Sequence, residues 1–389
     1  MNTLRTLVVF GTRPEAIKMA PLIRALEQHE SIEVHVCITS QHREMLQQVL
    51  NAFHIHPDYD LDIMTENQSL TTLTTRILEN MNDIFEQVQP HLVLVHGDTT
   101  TTFAVSLAAS YRKIPIGHVE AGLRTKNKYT PFPEEINRRL VGVLADLHFA
   151  PTKEAAQLLK EEGKSEESIF ITGNTAIDAL QTTFQTDFDH PILQSISDQK
   201  LLLITAHRRE NWGDPLIRIF RAIRQLVDKN PDTVAVFPVH LNPNVQKAAR
   251  RVLNNHPRIH LIEPLDVIQF HNFSARAHLI LTDSGGIQEE AATFQTPVLV
   301  LRQTTERSEA IQTGIAKLVG SNEKKIVKEG TRLLQSEEYH QSMIRTTNPF
   351  GDGHASERIV QAILYHFRLT TIPPESFQWN HSLQPTSNL

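Results

Sequence analysis

The 389-residue sequence contains a single cysteine, Cys37, so an internal disulfide framework is excluded. Cys37 lies within an apolar, strand-like run, which indicates an inert core thiol. The N-terminus has only about five consecutive apolar residues before a Gly-Thr-Arg turn, too few for a signal-peptide core or a membrane span. With 38 basic and 44 acidic residues, and a net charge of −6, the chain has no basic block suited to nucleic acid. We therefore expect a soluble, cytoplasmic protein without a membrane or nucleic-acid partner.

Two cofactor fingerprints are absent as well. Gly11 is the only glycine at the first strand–helix junction, so the chain lacks the G-x-G-x-x-G motif of nicotinamide and flavin dinucleotides. The later segment 351–353, Gly-Asp-Gly, does not follow a strand and cannot replace that motif. There is no H-E-x-x-H motif, and the histidines of segment 54–56 have no neighbouring set of ligands. The sequence predicts neither a redox cofactor nor a bound metal.

Short β-branched runs alternate with helical patterns in two successive series. The strands are continuous apolar runs, which is typical of a parallel sheet covered on both faces. The polar stretch 181–199 separates the two series. This pattern predicts an α/β protein with two Rossmann-like domains, 1–174 and 175–353, whose parallel sheets face each other across a cleft. A last helix is expected at about 354–369, followed by a loosely held polar tail, 370–389.

Basic residues follow the first strand, in the motif FGTRPEAIK. Arg13 and Lys18 lie within about a turn of a helix N-terminus, whose free N–H groups would attract an anion. Both cations could reach a phosphate there. The alternative is an exposed strand–helix junction with solvated charges.

Three carboxylates follow other predicted strands of the first domain. They are Asp98 in HGDTTTT, Glu120 in HVEAGLRT and Glu134 in PFPEEINRR. Each has a structural alternative, because aspartate caps helices and acids are favourable in a first helical turn. Three strand ends that each bring a carboxylate to one rim nevertheless favour catalysis. Clustered carboxylates raise one another's pKa, so an acid and a base can coexist near neutral pH.

Phosphate-binding features follow the strands of the second domain. His207 in TAHRRE could donate to a phosphate or transfer a proton. The small residues Ser284, Gly285 and Gly286 open a helix in TDSGGIQEE, and such a helix N-terminus favours negative charge. Glu290 lies one helical turn further on, a position suited to ribose hydroxyls. Arg302 and Arg307 flank the end of the next strand.

These motifs together, in this order between about Leu7 and Val360, resemble the non-hydrolysing UDP-N-acetylglucosamine 2-epimerases. The resemblance implies a GT-B architecture in which the C-terminal helix crosses back onto the first domain. It implies reversible epimerisation of UDP-GlcNAc to UDP-ManNAc at carbon 2, through elimination of UDP to 2-acetamidoglucal and re-addition after reprotonation on the other face. It also implies that no redox cofactor or metal is used. A homodimer that supplies ManNAc-type precursors for bacterial surface polysaccharide is expected.

The resemblance assigns roles by motif position. Asp98, Glu120 and Glu134 become the acid/base candidates, and the carboxylate that takes the carbon-2 proton is left open. Arg13, Lys18 and His207 would stabilise the departing diphosphate. Phosphate, ribose and further diphosphate contacts would come from Ser284, Gly285, Gly286, Glu290, Arg302 and Arg307.

Several bacterial members of the family bind a second UDP-GlcNAc as an allosteric activator. The resemblance places its contacts at Gln41, His42 and His240, at the residue after Arg43, and at a loop cation. Here Glu44 stands where many members have glutamine, and Asn67 stands where arginine is usual. An acid gained and a cation lost disfavour a second diphosphate. We predict weakened or absent activation by UDP-GlcNAc.

Three other functions remain open from sequence. A hydrolysing 2-epimerase would release free ManNAc and UDP, a GT-B glycosyltransferase would need an acceptor, and a silent nucleotide-sugar-binding module would not turn over. The full acidic set and the HRRE motif favour the reversible enzyme over hydrolysis, and three carboxylates around one sugar are unusual for a transferase. The presence of Asp98, Glu120, Glu134 and His207 argues against a silent module.

Overall fold

The computed structural model describes residues 3–379 apart from positions 41–42, 66–67, 126 and 346. Contacts within this part of the chain form two compact units. Unit 1 contains the described residues up to Thr182 together with Phe350–Gln378. Unit 2 contains Thr183–Pro349 together with Trp379.

The described part of unit 1 contains a seven-stranded parallel sheet. Its strands are β1 (Leu4–Phe10), β2 (Ile32–Ile38), β3 (Tyr59–Asp60), β4 (Leu92–His96), β5 (Ile116–Val119), β6 (Leu147–Ala150) and β7 (Ile169–Ile171). The intervening helices are α1 (Arg13–Glu27), α2 (Arg43–Phe53), α3 (Leu70–Val88), α4 (Thr100–Tyr111), α5 (Glu134–Leu144), α6 (Lys153–Glu161) and α7 (Thr175–Thr183). The strand order is β3-β2-β1-β4-β5-β6-β7.

Burial of the central strands explains their sequences. β1 pairs in parallel with β2 on one side and with β4 on the other, where Leu7 lies opposite Val93. Helices cover both faces of such a sheet, so its strands are apolar throughout rather than alternating. Cys37 belongs to this core, and burial raises the pKa of its thiol to about 12. The thiol is therefore protonated at neutral pH.

Unit 2 repeats this design with a six-stranded parallel sheet in its described residues. The strands are β8 (Lys200–Thr205), β9 (Thr233–Pro238), β10 (Ile259–Ile262), β11 (Leu279–Thr282), β12 (Val298–Val300) and β13 (Ala316–Leu318). The helices are α8 (Pro191–Ser195), α9 (Asp214–Lys229), α10 (Pro243–Leu253), α11 (Val267–Arg276), α12 (Gly285–Thr293), α13 (Ser308–Gln312), α14 (Glu323–Gln335) and α15 (Glu337–Ile344). The strand order is β10-β9-β8-β11-β12-β13.

The last helix, α16 (Ala355–His366), belongs to unit 1 and packs against α1. The buried carboxylate of Asp178 on α7 accepts the backbone N–H groups of Ala355 and Ser356, at 3.2 and 2.9 Å. These are N–H groups that a helix cannot satisfy within its own first turn. Asp178 therefore caps α16 from a distant part of the chain.

Within the predicted polar tail, residues 370–379 are described, and two of their aromatic side chains make defined contacts. Phe377 is buried, its amide donates to the Ile171 carbonyl at 2.7 Å, and the Arg358 guanidinium lies 5.6 Å from its ring centre. The Trp379 indole N–H donates to the Thr347 hydroxyl at 3.0 Å. Two aromatic residues thus anchor a segment that lacks helical or strand periodicity. Residues 380–389 lie outside the described residues.

Both sheets reverse their strand order once, between β1 and β4 in unit 1 and between β8 and β11 in unit 2. Open parallel sheets bind ligands beside such a reversal, outside the carboxyl ends of the strands. The predicted α/β class with two Rossmann-like units is confirmed. Within the described ranges, no helix is both long and apolar enough to cross a membrane.

Candidate active site

The loop between β1 and α1 is fixed by a buried carboxylate that the sequence reasoning missed. Glu15 accepts the amides of Gly11 and Thr12 at 3.1 and 2.8 Å, and the Thr12 hydroxyl at 2.8 Å. The Gly11 and Thr12 amides are therefore already bonded within the protein, and anion binding by the first turn of α1 stays a prediction. The Thr-x-x-Glu spacing of Thr12 and Glu15 is a capping-box signal that could have shown this.

Glu15 also connects α1 to the start of α4. Its second oxygen accepts the hydroxyls of Thr99 and Thr102, at 2.7 and 3.1 Å. Burial raises the pKa of this carboxyl, while the hydrogen bonds from Thr99, Thr12 and Gly11 oppose that rise. The threonine-rich motif after β4 thus serves in part to position the β1 loop.

Lys18 and Glu120 form a buried ion pair at the strand ends of unit 1. Lys18 lies on α1, and Glu120 directly follows β5. The same Glu120 oxygen accepts the side-chain N–H of Asn174 at 2.9 Å, and His96 Nε2 lies 3.8 Å away. Arg13 occupies the first position of α1, where its side chain is half-buried. The structure therefore brings a predicted cation and a predicted carboxylate together.

Glu120 adopts a left-handed backbone conformation, with φ of 61°. Such a conformation costs a non-glycine residue of order 1–3 kcal/mol, and residues of this kind cluster at functional sites. A Cβ atom at Gly97 would lie 3.8 Å from Glu120 Oε1. Glu120 is thus directed towards the residue that precedes Asp98.

Asp98 pairs with a second buried cation. Arg138 on α5 donates to the Asp98 carboxylate and, at 3.1 Å, to Glu135. Glu135 is fully buried and also accepts the Thr125 amide at 3.0 Å. Its neighbour Glu134 keeps one buried carboxylate oxygen without a hydrogen-bond partner. Of the two adjacent acids, Glu135 therefore stabilises the loop, and a proton-transfer role for Glu134 stays a prediction.

The equivalent loop of unit 2 is fixed by Asp283, which the sequence reasoning did not assign. This fully buried carboxylate follows β11. It accepts the amides of His207 and Arg208 at 3.0 Å and the side-chain N–H of Asn211 at 2.9 Å. An aspartate placed directly after a buried strand was the available signal. Asp283 sets the direction of the predicted His207 side chain.

His207 stacks on His240, with ring centres 5.1 Å apart and planes inclined by 13°. Burial lowers the pKa of His207, while Asp283, whose carboxylate lies 3.7 Å from Nδ1, opposes the shift. Arg208 and His240 lower the pKa further. His207 is therefore mostly neutral at pH 7 and able to donate one N–H.

Small residues and an acid open α12. Ser284 is the N-cap residue, and its side chain makes no capping hydrogen bond. A Cβ atom at Gly286 would lie 3.6 Å from Glu290 Oε1, so this carboxylate lies beside the first turn. Glu290 Oε2 is 3.5 Å from His271, whose other ring nitrogen bonds the Thr183 hydroxyl at 2.7 Å.

Arg302 and Arg307 are buried in an arginine network, which comprises these two residues with Glu210, Glu289 and Glu306. Arg302 donates to Glu210 and Glu306 at 2.8 and 2.9 Å. Arg307 donates to Glu289 and Glu306 at 2.7 and 2.8 Å. A Cβ atom at Gly285 would lie only 3.1 Å from Arg307, so glycine suits the close approach. A diphosphate role for the two arginines stays a prediction.

The predicted allosteric residues fall mostly outside the described structure. Gln41, His42 and Asn67 are not among the described residues, and neither is the side chain of Glu44. His240 is described and lies against His207. Weakened activation by UDP-GlcNAc therefore stays a prediction. In the described ranges, no three His, Cys, Asp or Glu residues are grouped so as to hold a metal ion.

Two Rossmann-like units with charged residues at their sheet reversals define a GT-B-type enzyme. The family model for UDP-N-acetylglucosamine 2-epimerase matches residues 24–364. The Bacillus subtilis UDP-N-acetylglucosamine 2-epimerase is 53% identical over 377 residues, which cover 97% of this chain and 99% of the relative. The chain therefore belongs to the UDP-N-acetylglucosamine 2-epimerase family.

Solved structures agree with this assignment. A complex of S. aureus MnaA with UDP has a TM-score of 0.93 and 52% identity, covering 97% of this chain and 100% of that one. The Neisseria meningitidis UDP-GlcNAc 2-epimerase bound to UDP-GlcNAc has a TM-score of 0.88 and 49% identity, covering 93% of this chain and 100% of the other. The predicted family and isomerase class are confirmed.

Proposed function

We propose that this protein reversibly converts UDP-GlcNAc to UDP-ManNAc by elimination and re-addition of UDP. The observation that carries this proposal is the set of carboxylates at the β4, β5 and α5 positions of unit 1. Asp98 and Glu120 each pair with a buried cation, and Glu134 keeps a buried oxygen without a partner. Family relatives with UDP-GlcNAc or UDP bound support the same substrate for this chain.

The proposed elimination removes the proton from carbon 2 of the sugar and breaks the bond from carbon 1 to the diphosphate oxygen. The electron pair of that bond leaves with UDP, and 2-acetamidoglucal remains. Protonation at carbon 2 from the other face and re-addition of UDP at carbon 1 then give the epimer. One carboxylate must accept the proton and another group must donate it, a role suited to Asp98, Glu120 and Glu134.

The proposal also assigns the groups that would bind the nucleotide and stabilise the leaving diphosphate. Lys18, Arg13 and His207 would stabilise the negative charge on the departing diphosphate. The neutral His207 would do so as an N–H donor. Ser284, Gly285, Gly286 and Glu290 would bind phosphate and ribose, and the guanidinium groups of Arg302 and Arg307 would add positive charge at the diphosphate.

The cellular setting is part of the proposal. We infer a cytoplasmic homodimer that makes UDP-ManNAc for bacterial surface polysaccharide, without a redox cofactor or a metal. A nucleotide sugar is an activated donor, so the class of reaction that consumes the product is a sugar transfer. Size-exclusion chromatography with light scattering tests the dimer, and a monomer at micromolar concentration would contradict it.

The experiment that tests the reaction is proton NMR of UDP-GlcNAc with the purified protein in heavy water, without added metal or cofactor. UDP-ManNAc with deuterium at carbon 2, and no free sugar, is the expected result. The Asp98→Asn variant is the matched control and should give almost no exchange. Epimer formed without deuterium incorporation would overturn the proton-abstraction step.

The hydrolysing 2-epimerase is the second candidate, because it shares the elimination. Free ManNAc accumulating with UDP in the same spectra would establish it instead. Unchanged substrate, with UDP binding shown by calorimetry, would indicate a transferase without its acceptor or a binding module.

A further inference from the structure

We propose that His118 is a positioning residue for Asp98, acting through the Gly97 carbonyl. His118 lies on β5, two residues before Glu120, and only 1% of its surface is exposed. Its Nε2 lies 2.7 Å from the Gly97 carbonyl oxygen. The inference rests on the proposed function, in which Asp98 takes part in proton transfer.

The geometry defines the tautomer of the imidazole. A carbonyl accepts hydrogen bonds only, so Nε2 must carry the proton. The other ring nitrogen, Nδ1, is buried without a hydrogen-bond partner. Burial lowers the pKa of His118 to about 3, although the hydrogen bond to Gly97 opposes the shift, and the nearby Arg124 guanidinium lowers the pKa further. The ring is therefore a neutral, permanent N–H donor at physiological pH.

That donor completes a two-sided restraint on Gly97. The Gly97 amide donates to the Val119 carbonyl of β5 at 2.9 Å, and the Gly97 carbonyl accepts from His118 of the same strand. Gly97 has a left-handed φ of 65°, which glycine adopts without steric cost. The next carbonyl, that of Asp98, accepts the Asn137 side chain at 2.9 Å. The peptide groups on both sides of Asp98 are thus fixed, and the one before it depends on His118.

His148 provides a matched control. It lies opposite His118 on the neighbouring strand β6, is equally buried, and has a pKa lowered by burial to about 4. Its ring nitrogen Nδ1 is buried without a hydrogen-bond partner, and its charged neighbours are Lys164, Arg124 and Glu162. Replacement of either histidine by leucine removes a buried imidazole, but only one replacement removes the Gly97 contact.

The test compares His118→Leu, His118→Gln and His148→Leu with the wild type in the UDP-GlcNAc assay. We expect kcat of His118→Leu to fall by about tenfold to a hundredfold with KM changed by less than about threefold, because small displacements of a catalytic group have effects of that size. Glutamine can place an N–H near the position of Nε2, so His118→Gln should recover most of kcat. His148→Leu should keep wild-type kcat. Equal kcat in the two leucine variants, or no recovery with glutamine, would overturn the inference.

An inactive wild type would refute the proposed function rather than the role of His118. The role of His118 can then still be tested by NMR, which does not depend on activity. In TROSY spectra of the labelled protein, the amide signals of residues 97–99 should shift in His118→Leu and stay in place in His148→Leu. The His118 ring nitrogens should show the neutral Nε2–H form between pH 5 and 8. Unmoved amide signals in His118→Leu would contradict the positioning role whatever the activity.

Discussion

Both units clamp the loop after their first strand with a buried carboxylate, but the carboxylate comes from different places. In unit 1, Glu15 on α1 accepts the amides of the loop that precedes its own helix. In unit 2, Asp283 reaches the amides of His207 and Arg208 from the loop after β11. The carboxylate that fixes the loop is therefore close to the loop in sequence in unit 1 and distant from it in sequence in unit 2.

This difference determines what Asp98 can do. Asp98 and Asp283 occupy equivalent positions, each one residue before the N-cap of the helix that follows the fourth strand. Since Glu15 already fixes the first loop, the Asp98 carboxylate pairs with Arg138 and its side chain keeps 25% exposure. The Asp283 side chain is fully buried. One position thus supplies an accessible acid in unit 1 and a structural acid in unit 2.

The largest expected effect tests the acids of unit 1. Asp98→Asn and Glu120→Gln should each lower kcat by on the order of 10²–10⁴-fold, because they remove proton transfer, while UDP affinity should change little. Steady-state kinetics and calorimetry with UDP measure the two quantities. Near-normal kcat in both variants would show that unit 1 does not supply the acid/base groups.

The next effect tests the two clamps. Asp283→Asn and Glu15→Gln should each cost about 2–4 kcal/mol of folding stability, since an amide N–H₂ would face backbone donors in a buried site. Both tryptophans, Trp212 and Trp379, belong to unit 2, so fluorescence follows that unit while circular dichroism follows both. Asp283→Asn should lower the midpoint of the fluorescence transition. Glu15→Gln should leave that midpoint unchanged and shift only the part of the circular dichroism transition that reports on unit 1. Coincident shifts in both variants would show that the units unfold together.

The arginine network of unit 2 predicts a change in binding rather than in turnover. Glu306→Gln leaves both buried arginines with one ionic partner fewer, so they should reorient. We expect UDP affinity to fall by about tenfold, equivalent to about 1.4 kcal/mol, with kcat within about threefold. Calorimetry checks the affinity. A kcat loss as large as that of Asp98→Asn would contradict the prediction that the arginine network affects UDP binding rather than turnover.

The pH dependence of stability should reflect the buried histidines of unit 1. His118 and His148 have pKa values lowered to about 3 and about 4, whereas an unfolded histidine has a pKa of about 6.5. Below about pH 6.5 the unfolded chain binds protons that the folded unit does not, so stability falls as the pH falls towards 4. Each histidine contributes a slope of about 1.4 kcal/mol per pH unit. His148→Leu should reduce the slope by that amount in denaturant titrations, and an unchanged slope would contradict it.

The smallest expected effect concerns activation by substrate. The family resemblance predicts an allosteric contact at His240, whereas Glu44 and Asn67 depart from the residues that the resemblance would require. The rate should therefore rise hyperbolically with UDP-GlcNAc concentration. Glu44→Gln combined with Asn67→Arg should introduce sigmoidal behaviour, and a strongly sigmoidal curve in the wild type would refute the prediction.

The sequence predicted the two α/β units because strand alternation and apolar runs are local signals. It also placed Asp98 and Glu120 after strand ends and Lys18 near the start of the first helix, where the structure has them. It could not choose Glu135 over Glu134 as the structural acid, since only the phase of α5 decides which carboxylate turns inward. It missed the partners of Arg302, because Glu210 lies 92 residues away and such pairing leaves no local pattern.

The Asp178 cap on α16 has a consequence for biosynthesis. It joins residues 177 positions apart, so unit 1 is a discontinuous domain with Thr183–Pro349 of unit 2 inserted in it. On the ribosome, this inserted part of unit 2 emerges before the chain that completes unit 1. Domains generally fold as units during synthesis. We expect the inserted unit to mature first, with the seven-stranded sheet left without α16 until translation is almost finished.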